Sequence, residues 1–236
     1  MKKVKISLIA LVALFLVQSA NAQTVDEVIE KYIDAMGGKE KLMSLNSVVM
    51  NGSLSVQGMD VGITTSISKG VGSRTDISVP GMGEGFQIMN TTKGWNFFPF
   101  QGQASPEEVP ADQVKASQSL LDLQGPLLNY KEKGNKVELL GKETVDGKEA
   151  YKLQVTNSDG KVSTYFIDSQ TYYKIKTITK AQTPQGEMEV ETSYSDFKKT
   201  PEGYLFPFSI TNSRGTILMS SIDVNKPIDA KIFTAE

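Results

Sequence analysis

From Ser47 to Val224 the chain alternates short stretches rich in β-branched and aromatic residues with tight turn signals, and one helical pattern interrupts them. This feature constrains the fold more than any other. Parallel strands need crossover connections of roughly a dozen residues or more, whereas antiparallel neighbours can be joined by a tight turn. Regular short spacing without interleaved helices therefore calls for an antiparallel meander. Strands are expected at 47–57, 60–69, 72–79, 85–91 and 94–98, then at 136–141, 149–156, 162–168, 172–181, 187–198, 204–213 and 216–224. The signals that bound them include Asn51-Gly52, Val145-Asp146-Gly147, Ser158-Asp159-Gly160 and Pro201-Glu202-Gly203, because Gly, Asn and Asp accept the backbone angles of sharp reversals.

Two segments read as helix. Thr24-Val25-Asp26-Glu27 is a capping box, in which the threonine oxygen accepts from the Glu27 N–H and the glutamate reaches back. Val25, Val28, Ile29, Tyr32, Ile33 and Met36 follow it at helical spacing, and Gly37-Gly38 ends the run; one apolar stripe of this kind packs on a sheet. A short turn or helix, 39–45, leads into the first strand. The second segment, 105–123, opens with Ser105-Pro106-Glu107-Glu108, carries Val114, Ala116, Leu120, Leu121 and Leu123, and ends at Gly125-Pro126. It reads as a helical insert between two halves of the sheet, capped at its start and divided by Pro110.

The beginning of the chain has a different character. Lys2, Lys3 and Lys5 precede an apolar run from Ile6 to Val17 broken only by Ser7, and Ala20-Asn21-Ala22 follows. That is the pattern of a cleaved secretory signal, and the run falls short of the roughly 20 residues a membrane-spanning helix needs. The expected working protein is then residues 23–236, a single exported domain without a lipid anchor of its own, since no cysteine is present to carry one. Without those three lysines, the 27 acidic side chains outnumber the basic ones by about five. No basic block interleaved with aromatics is present, so nucleic acid is not an expected partner.

The chain has no cysteine and no histidine. An exported protein without disulfides has to rely on its core. Without histidine, Ser-His-Asp and Cys-His nucleophile pairs and the usual zinc ligand sets are excluded. No metal or cofactor is called for, and an enzyme would have to work with carboxylates, lysine or tyrosine.

The remaining candidates are few. Gly81-Met82-Gly83-Glu84-Gly85 lacks both the spacing and the following helix of a phosphate-binding loop, and reads as a hairpin turn. Asp146 with Glu149, or Glu187, Glu189 and Glu191, are carboxylate groupings of the kind used in acid–base hydrolysis. The three glutamates alternate, however, which places them on one solvated strand face with Met188 and Val190 on the other. Arg74 and Arg214 are the only arginines, and both are assigned to strands. An inward arginine offers a rigid fork of donors for a carbonyl or carboxylate; a surface arginine does nothing comparable.

"GWNFFPF", residues 94–100, holds the single tryptophan. In a strand, Trp95 and Phe97 point one way and Asn96 and Phe98 the other. Phe86, Ile88 and Met89 lie just before it, and Leu120 and Leu121 soon after. Two arrangements accommodate these residues. One is a closed apolar core; the other is a curved sheet under helices, whose concave side they line.

Four stretches, "VDEVIEKYIDAMGGKEKL" (25–42), "YFIDSQTYYKIKTIT" (165–179), "YSDFKKTPEGYLFPFSI" (194–210) and "IDVNKPIDAKIF" (222–233), carry a family likeness. The chain resembles periplasmic outer-membrane lipoprotein-sorting proteins of the Lol-type lipoprotein-carrier superfamily. The resemblance implies an α+β, mostly β fold: an incomplete antiparallel barrel of about eleven strands with helices over its concave hydrophobic face. It also implies a non-catalytic carrier of lipid or lipoprotein acyl chains, with Phe86, Ile88, Met89, Trp95, Phe97, Leu120 and Leu121 as lipid-binding candidates and Arg74 as a lid contact. Expected partners are lipid or an acylated lipoprotein, an envelope protein, and a membrane met in passing. The physics suits cargo without reactive groups, since a buried methylene is worth about 0.8 kcal/mol and a sixteen-carbon chain on the order of 10 kcal/mol gross. The alternatives are an envelope sensor module with a filled barrel, and a carboxylate-dependent hydrolase.

Overall fold

The computed structural model describes residues 23–56, 58–183 and 186–235. The signal-like segment 1–22 lies outside the described residues. Thirteen strands form one antiparallel sheet: β1 (Ser47–Val56), β2 (Met59–Ser68), β3 (Gly72–Val79), β4 (Gly83–Asn90), β5 (Gly94–Phe97), β6 (Glu107–Glu108), β7 (Lys136–Val145), β8 (Lys148–Thr156), β9 (Val162–Asp168), β10 (Lys174–Thr183), β11 (Gly186–Lys199), β12 (Leu205–Asn212) and β13 (Gly215–Val224). Their spatial order is β6-β5-β4-β3-β2-β1-β13-β12-β11-β10-β9-β8-β7. The chain thus builds two meanders that meet where β1 pairs with β13. The terminal strands of this order, β6 and β7, do not pair with each other, and the barrel is incomplete.

Turn chemistry sets much of this. Asp146 and Gly147 both adopt positive φ, 48° and 78°, between β7 and β8, the two-residue reversal whose twist suits a hairpin. Asn51-Gly52, in contrast, marks no turn. It lies inside β1 at a register shift against β13, where a Cβ on Gly52 would come within 2.6 Å of the Leu218 carbonyl oxygen. Here glycine permits a bulge and close backbone approach. The Asn-x-Pro near the end also has a role. Asn225, at φ 55°, accepts from the Asn46 N–H through Oδ1 at 2.8 Å and donates through Nδ2 to the Tyr204 hydroxyl at 3.1 Å, fastening the last strand to the entry of the first.

Among the described residues three α-helices accompany the sheet: α1 (Val25–Ala35), α2 (Lys39–Met43) and α3 (Ala111–Ser117). The capping box of α1 is formed, with Glu27 N–H donating to Thr24 Oγ1 at 3.2 Å and Thr24 N–H to Glu27 Oε2 at 2.8 Å. The insert departs from expectation in one respect. Glu107 and Glu108 do not start a helix; they pair with Asn96 and Trp95 as β6. Gln103 favours this, accepting from the Phe98 N–H at 2.6 Å and donating to Glu107 at 2.9 Å. Pro110 then stands at the N-cap of α3 rather than splitting a longer helix, the position where its missing N–H costs least.

Candidate ligand-binding site

Residues directly opposite in an antiparallel ladder share a face, so the register decides what each surface carries. The face that bears α1 can be followed across the sheet. Val28 and Ile29 of α1 pack with Val137, Tyr151, Leu153, Val155 and Ile167, with Tyr32, Ile33 and Tyr165 alongside. Leu153 opposes Tyr165, Tyr165 opposes Thr177, and Thr177 opposes Thr192. On β11 Tyr194, two residues beyond Thr192, opposes Ile210, which opposes Ile217, which opposes Leu54. From β1 the face continues through Val61 and Ile63 of β2 to Ile77 of β3.

Covering is uneven along this face. Beneath α1, Val28, Leu153 and Ile167 are 0% exposed. At the other edge Met89 packs under Val109 and Val114 of the insert. Between these caps one end of the central strands is closed by Leu45, Val48, Tyr204, Ile222 and Val224, with Met50, Phe208 and Met219 packed against them. Phe208 and, toward the other end, Leu54, Val61, Ile63, Ile77, Ile210 and Ile217 are only half-buried. The middle of the face is an apolar trough with sealed ends.

Where α1 reaches the trough, the surface becomes aromatic and polar. Tyr32 comes from the helix, Tyr165 from β9 and Tyr194 from β11, whose hydroxyl lies 3.1 Å from Thr177 Oγ1. Burial pushes the Tyr32 phenol up to about 12, with Tyr194 beside it adding to the effect. Burial also raises Tyr165 and Tyr194. In their midst is Lys174. Its ammonium sits 4.9 Å from the centre of the Tyr165 ring and 4.8 Å from that of Tyr194. Burial lowers its pKa to about 8. These side chains are half-buried, each keeping part of its surface accessible.

Two clefts lie elsewhere. One of about 680 Å³, between α2 and the Glu202–Tyr204 turn, is lined by Lys39, Glu40, Lys41, Ser44 and Asn225. Another of about 240 Å³ is lined by Asn51, Thr64, Asp76, Ser78, Glu84 and Ser220 together with Gly52, Gly62, Ile63 and Ile77 of the same strands. Both clefts mix charged and polar side chains with apolar ones, so neither offers the continuous apolar wall an alkyl chain needs.

No family model matches the chain, and no curated protein does. Solved structures do. A LolA superfamily protein from Nitrosomonas europaea superposes with a TM-score of 0.55 at 16% identity, covering 90% of this chain and 98% of the other. A DUF1329 family protein from Desulfovibrio piger gives 0.57 at 12% identity, again over 90% and 98%. A domain assigned to the outer membrane lipoprotein-sorting proteins, from Vibrio parahaemolyticus, gives 0.52 at 14% identity over 88% and 94%. The fold is of the LolA type. At these identities the likeness concerns architecture, and it fits the resemblance seen in the sequence with thirteen strands in place of about eleven.

Within this LolA-type frame the residues singled out from sequence separate. Phe86 opposes Phe97 and Ile88 opposes Trp95. Ile88 also opposes Arg74, and Arg74 opposes Ser66. All of these lie on the face opposite α1, so Trp95 and Phe97 do not line the helix-covered side. Phe98 and Phe100 do, closing over Gly85, where a Cβ would meet their rings at 2.8 and 3.0 Å. Met89 is on the helix-bearing face within the insert's cluster. Leu121 is 5% exposed and Leu120 60% exposed, so the two leucines point apart.

Arg74 does act as a tie, but not to α1. Its Nε donates to Asp76 at 2.8 Å, one of its NH groups donates to the Ile232 carbonyl at 3.3 Å, and its guanidinium lies 4.6 Å from the Phe86 ring centre. It fastens the C-terminal 3₁₀ turn, Ala230–Phe233, to the back of the sheet, where the Phe233 ring fills the space over Gly72. Arg214 is exposed in the turn between β12 and β13, not in a strand. The glutamate triplet faces solvent, with Glu187 and Glu191 paired to Lys180 and Lys176 at 2.7 and 2.6 Å. Lys174 was not singled out from the sequence. One lysine among 23 carries no signal by type, and the strand irregularity that turns it inward is not written in composition or period.

Proposed function

We propose that this chain is a non-catalytic binding and carrier protein for acyl chains of lipids or lipoproteins, working in the periplasm after removal of residues 1–22. The observation that carries the reading is the trough: a file of branched and aromatic side chains across β1–β3, β12 and β13, left half-covered while both ends of the same face are sealed. Large apolar side chains left open in a continuous file mark a surface that something else covers. An alkyl chain meets that need without any reactive group, and its length offers on the order of 10 kcal/mol gross against association costs of several kcal/mol. Met50 and Met219 at the trough's border add adaptable walls. The name of one structural relative, an outer membrane lipoprotein-sorting protein domain, points the same way.

A fluorescent fatty acid tests this. The expected result is saturable uptake, displaced by unlabelled palmitate and lost in Ile63→Asp. Failure to take up fatty acid, phospholipid or a diacylated peptide would overturn the reading. The half-buried Phe86, Trp95 and Phe97 on the other face favour a second role in contacting an envelope protein. Retention of a partner that survives Ile63→Asp and is lost in Trp95→Ala would support that role.

A further inference from the structure

Lys174 faces the helix-covered interior because β10 is irregular there. By simple alternation Lys174 and Lys176 would share a face. The register against β9 shifts between them, so that Lys176 opposes Phe166 while Lys174 opposes Ile167. Phe166 belongs to the cluster on the back of the sheet, with Val145, Ala150 and Ile175, and Ile167 to the cluster under α1. A bulge at Ile175 thus sends the two lysines to opposite sides, the re-aiming that bulges accomplish near functional sites. Lys176 finds Glu191 at 2.6 Å on the outside.

Inside, among the described residues, Lys174 has no carboxylate partner and no hydrogen-bond acceptor; its recorded neighbours are the faces of Tyr165 and Tyr194. The acidic group felt by Tyr165, Asp122, is already held by Lys133 at 2.6 Å. An amine taken out of bulk water without a counter-ion destabilises the fold that contains it. Two aromatic faces offset part of that cost and leave the charge itself unneutralised. Around it the phenols of Tyr32, Tyr165 and Tyr194 supply hydroxyl donors of high pKa, and the apolar trough begins beyond Tyr194 at Ile210.

We infer that Lys174 seats the acid head group of a single-chain anionic amphiphile whose alkyl tail runs into the trough. This rests on the acyl-chain reading above and narrows it to a ligand with a free acid, carboxylate or phosphate, at its end. Amide- or ester-linked acyl groups of a lipoprotein bring no charge for the ammonium to meet.

Binding of palmitate, hexadecyl phosphate and hexadecanol to the purified protein separates the possibilities, because the three share a tail and differ in the head. The expected result is that wild type prefers at least one acid over the alcohol by about tenfold or more, as for a charge pair formed away from bulk water. Lys174→Gln should bring that preference to within about twofold while leaving hexadecanol affinity unchanged, and Lys174→Arg should keep most of it. Whichever acid shows the preference identifies the head group as carboxylate or phosphate. Equal binding of acid and alcohol by wild type, or an acid preference that survives Lys174→Gln, overturns the head-group assignment and leaves the acyl-chain reading in place. Binding of none of the three overturns the head-group assignment, and the acyl-chain reading falls with it when phospholipid and a diacylated peptide are refused as well.

Discussion

The helix-bearing face is built twice from the same alternating pattern, and its two regions end differently. Under α1, Leu153, Val155 and Ile167 meet Val28 and Ile29 and lose nearly all contact with solvent. In the middle of the sheet, Ile63, Ile77, Ile210 and Ile217 occupy equivalent inward positions and stay half-open. Residue type does not distinguish these sets, nor does strand geometry. What differs is the lid. The anchoring of α1 is biased to its N-terminal end, where Asp26 accepts from Tyr130 at 2.7 Å and Lys131 at 2.9 Å, and where Gln23 bonds both Tyr151 and Tyr172. Apolar alternation therefore makes a core where a helix is fastened over it, and a half-open apolar surface where none is.

The comparison can be broken most directly by truncation on the two sides. Leu153→Ala should cost about 3 kcal/mol in denaturant unfolding, within the usual range for a buried leucine, whereas Ile63→Ala should cost less than about 1 kcal/mol. Equal losses would mean that the trough is an ordinary core. The second contrast is functional and sets the two faces of the sheet against each other. Phe208→Asp should reduce fatty-acid uptake at least about tenfold while the far-ultraviolet circular dichroism stays native, because a carboxylate resists transfer beside an alkyl chain. Trp95→Asp, on the back, should leave uptake within about twofold, since its carboxylate would lie outside the trough; the reverse pattern would put the ligand on the wrong face here.

Lys174 sharpens the boundary between the two regions. A base whose folded pKa is about 8 binds fewer protons in the folded than in the unfolded chain between that value and the ordinary lysine range near 10.5. The contribution of this group to stability should therefore rise from about pH 8 and level off near the ordinary lysine value. The nearby phenols of Tyr32, Tyr165 and Tyr194 are raised by burial, so the unfolded chain gives up those protons first and they oppose the rise as pH nears about 10; the net gain is read between about pH 8 and 9. Lys174→Met should stabilise the ligand-free protein at pH 7 by up to about 3 kcal/mol, an upper bound set by the size of the shift, and should flatten the pH dependence. A loss of stability instead would show that the charge is satisfied. The smallest effect is expected at the back of the sheet, where Arg74→Ala removes a partly exposed ion pair with Asp76, one weak tie to Ile232 and a stacking contact, worth about 1 kcal/mol together in thermal unfolding, without altering uptake.

The order of strands and the first helix were legible because local signals agree with the global fold. Thr24 and Glu27 cap as their spacing demands, and Asp146-Gly147 turns as its residues prefer. The insert misled where a tertiary contact outweighed local preference: Ser105-Pro106-Glu107-Glu108 has the form of a capping box, but β5 offers Glu107 and Glu108 ladder bonds. The orientation of Trp95 was hidden for another reason. Period two sorts Trp95 and Phe97 from Phe98 and Phe100, yet both pairs are apolar, and nothing local says which pair faces the helices. Lys174 depended on a bulge, an irregularity produced by pairing across β9 and β10 rather than by residue type.

The central claim is that the half-open trough holds an alkyl chain. Native mass spectrometry of the protein, purified without detergent, measures this without choosing a ligand beforehand. The account predicts adducts of acyl-lipid mass on wild type and on Trp95→Asp, and bare protein for Phe208→Asp. Bare wild-type protein that also gains no adduct after incubation with mixed envelope lipids would contradict it.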